Sequence, residues 1–209
     1  MIDEYRTLYQ PGKSEISIEK SRFIGYSAPI SSEEEAIQFI DKIKAKHKDA
    51  THNTSAYVFG LQNEIQRYND DGEPSGTAGI PILEVIKKEN LRNIVIVVTR
   101  FFGGIKLGAG GLIRAYTKGA KIAVDAGQVI SKRLHNIIQV DIDYTLLGKV
   151  QNEILQNNYL TKEIKYDQSV HLFIYVPINK QGIFKKQLTE WTNAKCEITK
   201  GGTDYLTVK

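Results

Sequence analysis

The chain alternates between segments with strand-like and helix-like spacing of apolar residues. Asn93–Thr99 (NIVIVVT) is continuously apolar and β-branched, a pattern typical of a strand that is covered on both faces. This segment is therefore predicted to lie at the centre of its sheet. Two further strands are predicted at Ser14–Ser27, where KSRF interrupts the pattern, and at Ser55–Leu61. Together with the helical segments, these strands indicate an α+β fold class.

Three segments in the first part of the chain have the periodicity of amphipathic helices. Ser32 is predicted to cap the first helix, because three glutamates follow it where the helix dipole favours carboxylates. Thr77–Lys88 is predicted as the second helix, with Ser75 or Thr77 as its cap. The third helix, Leu112–Ala126, has basic residues opposite its apolar stripe, namely Arg114, Lys118 and Lys121.

The last third of the chain has its own complete set of elements in the order βαββαβ. This order is the ferredoxin-like arrangement, a small unit in which two helices cover one face of a four-stranded sheet. No Gly/Ser linker separates the two parts, so two closely joined domains are predicted, residues 1–134 and 135–209. The predicted elements of the second domain are Ile137–Tyr144, Leu146–Gln156, Tyr159–Tyr166, Val170–Pro177, Lys180–Thr192 and Cys196–Lys209.

Composition and charge narrow the class of protein. The 209 residues are 41% apolar and 25% charged, as in ordinary folded proteins. A net charge of +4 is too small for a dense nucleic-acid coat, so any basic surface must be local. Cys196 is the only cysteine, which excludes an intrachain disulfide and a four-cysteine zinc site. With no export signal or membrane-spanning segment in the pattern, we expect a cytoplasmic protein.

A glycine-rich segment, Arg100–Leu112 (RFFGGIKLGAGGL), joins the buried strand to the basic helix. Glycines allow close backbone approach, and a helix N-terminus offers free N–H groups and a partial positive charge. Arg100 and Lys106 flank this segment, so it is predicted to bind a phosphate or another anion. The alternative is that the glycines serve only a tight turn and helix packing, and no Walker A or dinucleotide motif is present. The glycines are Gly103, Gly104, Gly108, Gly110 and Gly111.

A second segment, Arg67–Pro81 (RYNDDGEPSGTAGIP), concentrates oxygen ligands. Four residues of this segment, and a histidine that precedes Ser55–Leu61, are candidates for catalysis. They are Asp70, Asp71, Glu73, Ser75 and His52. The spacing does not match an EF-hand, and Ser75 lacks the Gly-x-Ser-x-Gly elbow of a hydrolase nucleophile. The alternative is a turn that leads into a capped helix. Neither a metal site nor a cofactor is predicted.

Four stretches taken together resemble the signature of the IMPACT/YigZ family. They are KSRFI, ATHNTSAYVFG, RYNDDGEPSGTAGIPIL and VIVVTRFFGGIKLGAGGLIRAY, and they cover most of residues 16–126. The resemblance implies a first domain that is ribosomal protein S5 domain 2-like and a ferredoxin-like second domain, as in bacterial two-domain members. Those two folds are similar to the last two domains of elongation factor G, which contact the ribosome. Eukaryotic relatives are linked to control of translation, and the family has no securely assigned enzymatic reaction.

Two functions from different classes follow. The favoured hypothesis is a nucleic-acid or ribosome-binding protein that regulates translation, with RNA or the translation machinery as partner and the glycine-rich segment and basic helix meeting phosphates. The alternative is an enzyme that acts on a phosphorylated small molecule, which would bind between Arg67–Pro81, called the acidic segment below, and the glycine-rich loop Gly103–Gly111. A broad basic surface favours the first hypothesis, and a pocket where His52 meets the acidic segment favours the second.

Overall fold

The computed structural model describes residues 2–208 and divides them into two compact units. The first unit contains residues 5–131, and the second contains residues 2–4 and 132–208. The outer ends of the two predicted domains, Met1 and Lys209, lie outside the described residues. One strand, Val129–Ile142, carries the chain from the first unit into the second, so the strand predicted to begin at Ile137 begins eight residues earlier. No helix among residues 2–208 is long and apolar enough to cross a membrane.

The first unit is built on an antiparallel sheet with the strand order β2-β3-β6-β4-β5. The chain enters this unit along β1, and helices alternate with the strands that follow. Its elements are β1 (Glu4–Leu8), β2 (Gly12–Ile18), β3 (Ser21–Pro29), α1 (Glu33–Lys46), β4 (His52–Phe59), β5 (Ile65–Asn69), α2 (Gly79–Lys88), β6 (Ile94–Phe101) and α3 (Gly108–Gly127).

Strand β6 lies at the centre of this sheet and is covered on both faces. Ile96 and Val98 belong to the core beneath α2 and α3, whereas Val95 and Val97 pack on the side of α1. All four side chains are fully buried. The prediction of a central, doubly covered strand is confirmed, because β-branched residues on both faces satisfy two separate cores.

Helix α3 lies unusually close to the sheet. A Cβ atom on Gly25 would overlap the carbonyl oxygen of Gly119, so the backbones of β3 and α3 touch directly. The hydroxyl of Ser27 donates a 2.7 Å hydrogen bond to the carbonyl of Ala123 one turn further along. These contacts fix the distance and register of α3 on β3.

The second unit has the element order βαββαβ, as the sequence predicts, and the strand order β10-β7-β9-β8. Both helices bury apolar side chains such as Phe184 and Leu188 against alternate residues of the sheet, including Leu172 and Ile174. Its elements are β7 (Val129–Ile142), α4 (Leu147–Gln156), β8 (Leu160–Tyr166), β9 (Val170–Pro177), α5 (Gln181–Thr192) and β10 (Glu197–Val208).

Two elements of the first unit differ from the sequence expectation. Strand β5 is not among the strands predicted from the sequence, because its residues lack an apolar alternation; it is mostly exposed and pairs only with β4 at the sheet edge. Helix α3 begins at Gly108 rather than Leu112. The last three glycines of the glycine-rich segment therefore belong to the first turn of the helix and not to the loop.

Candidate functional site

The acidic segment folds into a turn that the carboxylate of Asp70 closes. Its Oδ1 accepts hydrogen bonds from the backbone N–H groups of Ala78 (3.1 Å) and Gly79 (2.7 Å), and its Oδ2 accepts one from Gly76 (2.8 Å). Helix α2 has no side-chain cap at its own N-cap position. The expectation that Ser75 or Thr77 caps this helix is therefore wrong, because Thr77 Oγ1 donates to the carbonyl of Pro74 instead and Asp70 satisfies the free amides.

Asp71 attaches this turn to the rest of the first unit. Its carboxylate accepts a hydrogen bond from Asn53 N (2.6 Å) and pairs with Lys44 Nζ (2.8 Å), while its carbonyl contacts His52 Nδ1 (2.8 Å). Burial acts to raise the pKa of Asp71, but the bonds from Lys44 and Asn53 outweigh it and hold the pKa below its usual value. Asp70 and Asp71 thus have structural partners for all four carboxylate oxygens.

Glu73 is a buried carboxylate with one oxygen in use. Its Oε1 accepts hydrogen bonds from Arg100 Nη1 and Tyr116 Oη, both at 2.7 Å, and lies 3.8 Å from His52 Nε2. Burial and the contact with Glu73 raise the pKa of the Tyr116 hydroxyl, so the tyrosine stays neutral and donates. Within residues 2–208, Oε2 of Glu73 accepts no hydrogen bond.

Arg100 is buried beside Glu73 rather than free at the edge of the loop. Its guanidinium lies between the rings of Phe23 (5.5 Å) and Phe102 (5.3 Å), with a long contact of 3.4 Å to Ser21 Oγ. Its Nε is buried and has no partner among the described residues. The charge of Arg100 is therefore balanced internally by Glu73 and is not available to neutralise a phosphate.

The acidic and glycine-rich segments meet at a cavity of about 260 Å³. Its lining includes Glu73 and Arg100 together with Lys106 and the start of α3. No side chain caps the N-terminus of α3, so the first-turn N–H groups are available to an acceptor. The two segments singled out from the sequence thus form one site, which we call the Glu73 cavity.

The glycines before and within the first turn of α3 have different roles. A side chain on Gly103 would overlap the backbone of Lys20, so this glycine allows a close approach. Gly104 and Gly108 have φ angles of +88° and +67°, which favour glycine. By contrast, Gly110 has only the tip of Arg114 near it, at 3.7 Å, and neither packing nor a positive φ accounts for the missing side chain.

The basic face of α3 divides into a paired and an unpaired part. Lys121 forms ion pairs with Glu89 (2.7 Å) and Asp125 (3.1 Å). Arg114 and Lys118 instead line a second cavity of about 380 Å³ next to the Glu73 cavity, together with Lys106 and Gly111. Lys106, Arg114 and Lys118 form no ion pair with any residue in the range 2–208. We call this second cavity the basic cleft.

The remaining sequence candidates are not arranged for nucleophilic or metal catalysis. Ser75 is exposed and has no hydrogen-bonded base among the described residues. Across residues 2–208 no group of three His, Cys, Asp or Glu side chains is placed to hold a metal ion. Sequence reasoning did not single out Phe102 and Tyr116, since the first stands among glycines and the second matches the apolar stripe of α3.

Comparisons with known proteins agree with this layout. Residues 19–124 match the model of the Impact N-terminal domain, and residues 140–195 match a domain of unknown function, DUF1949. The chain is 49% identical over 206 residues to the IMPACT family member YvyE of Bacillus subtilis (strain 168), covering 99% of this chain and 95% of that protein. It is also 31% identical over 192 residues to the IMPACT family member YigZ of Escherichia coli (strain K12), covering 87% and 90%.

A solved structure supports the same relationship over most of the chain. The crystal structure of a hypothetical protein is similar with a TM-score of 0.62 and 28% identity, covering 95% of this chain and 97% of the other. The first-domain match includes both the acidic turn and the glycine-rich segment that form the Glu73 cavity. On this sequence and structural similarity, the chain belongs to the IMPACT family.

Proposed function

We propose that this protein binds RNA phosphates at the basic cleft and acts in the regulation of translation, with ribosomal RNA or another RNA of the translation machinery as its partner. The observation that carries the proposal is the set of three exposed cations, Lys106, Arg114 and Lys118, around one open cleft without ion-pair partners in residues 2–208. Cations that are not paired within a protein are the ones that can displace the counterions of a nucleic acid.

The surroundings of the cleft suit a single strand. Ile105, which lines the cleft, is 38% exposed, and Phe102, which shares the neighbouring Glu73 cavity with Lys106, is 45% exposed. Proteins that bind single strands combine a basic groove with aromatic or apolar groups that contact the bases. Glu19 also lines the cleft and reduces its net charge, so binding of modest affinity without strong sequence preference is expected.

Fold analogy also supports the proposal. We infer that the first unit is S5 domain 2-like, in view of its antiparallel sheet with α1 on one face and α2 and α3 on the other. We infer that the second unit is ferredoxin-like, in view of its βαββαβ order and its strand order β10-β7-β9-β8. Both folds occur in ribosome-binding proteins, which is an argument from analogy and separate from the site itself.

The alternative of an enzyme acting on a phosphorylated small molecule has one observation in its favour. His52 does lie near the acidic turn, with its Nε2 3.8 Å from Glu73 Oε1. Against this reaction, the carboxylates of Asp70 and Asp71 are occupied by backbone amides and Lys44. Because both carboxylate oxygens of Asp70 and of Asp71 have structural partners, binding is the better-supported function.

The proposal is tested by fluorescence anisotropy with a labelled single-stranded RNA of about 12 nucleotides. Three phosphate contacts correspond to a log–log salt slope of about −2 for a single strand. Changing Lys106, Arg114 and Lys118 together to alanine is expected to lower affinity at low salt and to remove most of this slope. A matched variant removes three exposed cations of the second unit, Lys149, Lys185 and Lys186. If both triple variants lose affinity equally, or if neither does, the basic cleft is not the RNA site.

A further inference from the structure

One buried carboxylate that lines the Glu73 cavity has an oxygen without a partner. The side chain of Glu73 is 3% exposed and that of Arg100 is 6% exposed. Glu73 Oε1 accepts from Arg100 and Tyr116, whereas Oε2 accepts no hydrogen bond within residues 2–208 and is not fully enclosed. Buried polar groups are almost always paired, so this open acceptor on the cavity lining indicates a ligand that supplies a donor.

Other groups in the lining of the cavity favour an anion. Lys106 and the uncapped first turn of α3 provide a positive charge and free N–H groups, and α3 is 20 residues long. The glutamate does not cancel this charge, because the buried Arg100 already neutralises it. A ligand for this cavity is therefore anionic at one end and carries neutral hydroxyl groups at the other.

The lining of the Glu73 cavity also contains an apolar aromatic surface. The ring of Phe102 is 45% exposed, and the Arg100 guanidinium lies 5.3 Å from its centre. Exposed aromatic rings in such positions stack on nucleobases without strong base preference. Leu107 and Leu112 extend the apolar lining beside it.

We propose that the Glu73 cavity binds one ribonucleoside 5′-phosphate unit with a free 2′,3′-diol. The phosphate lies at the first turn of α3 and Lys106, and the base stacks on Phe102. One ribose hydroxyl donates to Glu73 Oε2. A volume of about 260 Å³ accommodates the phosphate and ribose and leaves the base at the open edge. The inference extends the proposed function, since the 3′ end of an RNA and a free nucleotide share this chemistry.

The test uses isothermal titration of the full chain with 5′-AMP, 2′-deoxy-AMP and inorganic phosphate. AMP is expected to bind about tenfold more tightly than 2′-deoxy-AMP, because a hydrogen bond to a buried charged group is lost with the 2′-hydroxyl. Ala109→Leu, which enlarges a side chain of the cavity lining and leaves Glu73 and Arg100 unchanged, is expected to abolish AMP binding. Thr117→Leu on the exposed face of the same helix is the matched control and keeps AMP binding.

Glu73→Gln retains an acceptor for Arg100 and Tyr116 and is expected to lose the preference for the diol. If this variant fails to fold, Ala109→Leu still decides the matter. AMP binding that is equal in Ala109→Leu and in the unmodified protein overturns the inference, as does equal affinity for AMP and 2′-deoxy-AMP.

The two sources of the ligand are separated by an RNA oligomer with either a 3′-diol or a 3′-phosphate. Tighter binding of the 3′-diol RNA supports capture of an RNA end, and binding of AMP alone supports a free nucleotide. RNA binding that ignores the 3′ end, together with no AMP binding, overturns this inference and leaves the proposed function standing. AMP binding without RNA binding supports this inference and overturns the proposed function.

Discussion

Replacing Asp70 by alanine is expected to destabilise the first unit, because the carboxylate that closes the acidic turn is lost. The substitution removes the acceptor for the amides of Gly76, Ala78 and Gly79, of which the last two belong to buried residues. A hydrogen bond to a charged group contributes about 1.5–3 kcal/mol, and a helix cap contributes about 1–2 kcal/mol. Because the three bonds share one carboxylate, their contributions are not additive, and we expect the free energy of unfolding to fall by about 3 kcal/mol.

Calorimetry of the full chain measures this loss as a lower melting temperature of the first unit. At roughly 3 °C per kcal/mol for a unit of this size, the expected shift is about 10 °C. Asp70→Asn keeps one acceptor oxygen and is expected to cost about half as much. Amide hydrogen exchange provides a local reading, since the N–H groups of Ala78 and Gly79 lose their protection in Asp70→Ala first.

Ser75→Ala is the matched control, because the sequence pattern makes Ser75 a cap and the structure does not. Ser75 is exposed, so its replacement is expected to change stability by less than about 0.5 kcal/mol. The reasoning is refuted if Ser75→Ala destabilises as much as Asp70→Ala, or if Asp70→Ala leaves the exchange of Ala78 and Gly79 unchanged.

Three further predictions concern buried charge, pH and domain independence. Glu73→Ala leaves Arg100 buried without its counter-ion and is expected to cost about 4 kcal/mol in a thermal melt, whereas the matched exposed change Glu84→Ala costs little. The hydrogen bond to Asp141, and to a smaller extent the one to Asp167, raises the pKa of His171. The contribution of these bonds to stability is therefore complete below about pH 6.5 and is lost as the pH rises through the pKa of the folded state. An NMR titration that gives His171 an ordinary pKa would contradict this. Residues 132–209 expressed alone are expected to melt cooperatively, since their core is their own, and a non-cooperative melt would contradict their independence.

Local pattern was sufficient to predict much of the fold. The run at β6 is apolar on both faces, and the structure places it at the centre of its sheet. Ser32 accepts a hydrogen bond from Glu35 N as the cap of α1, in agreement with the sequence. These features depend on residues within one element, where periodicity and capping preferences are informative.

The site depends on contacts that local pattern does not report. Arg100 lies 27 residues from Glu73, and Tyr116 lies 43 residues from it, so nothing in either segment indicates that they pair. Asp70 caps a helix that begins nine residues later. Lys121 appeared free on its helix face until the fold placed Glu89 beside it. The sequence shows which charged residues lie in each segment, but it does not show which of them form ion pairs in the folded protein.

At Gly25 and Gly119, helix α3 contacts strand β3 through the backbone, with no side chain between them that could adjust to a shift. At about 1.5 Å per residue, Gly119 lies roughly 17 Å along the helix from Gly108, where the Glu73 cavity begins. A methyl group at Gly25 would overlap the helix backbone and push α3 away from β3. The helix N-terminus would then tilt relative to Arg100, so a substitution far from any ligand would misalign the groups that line the cavity.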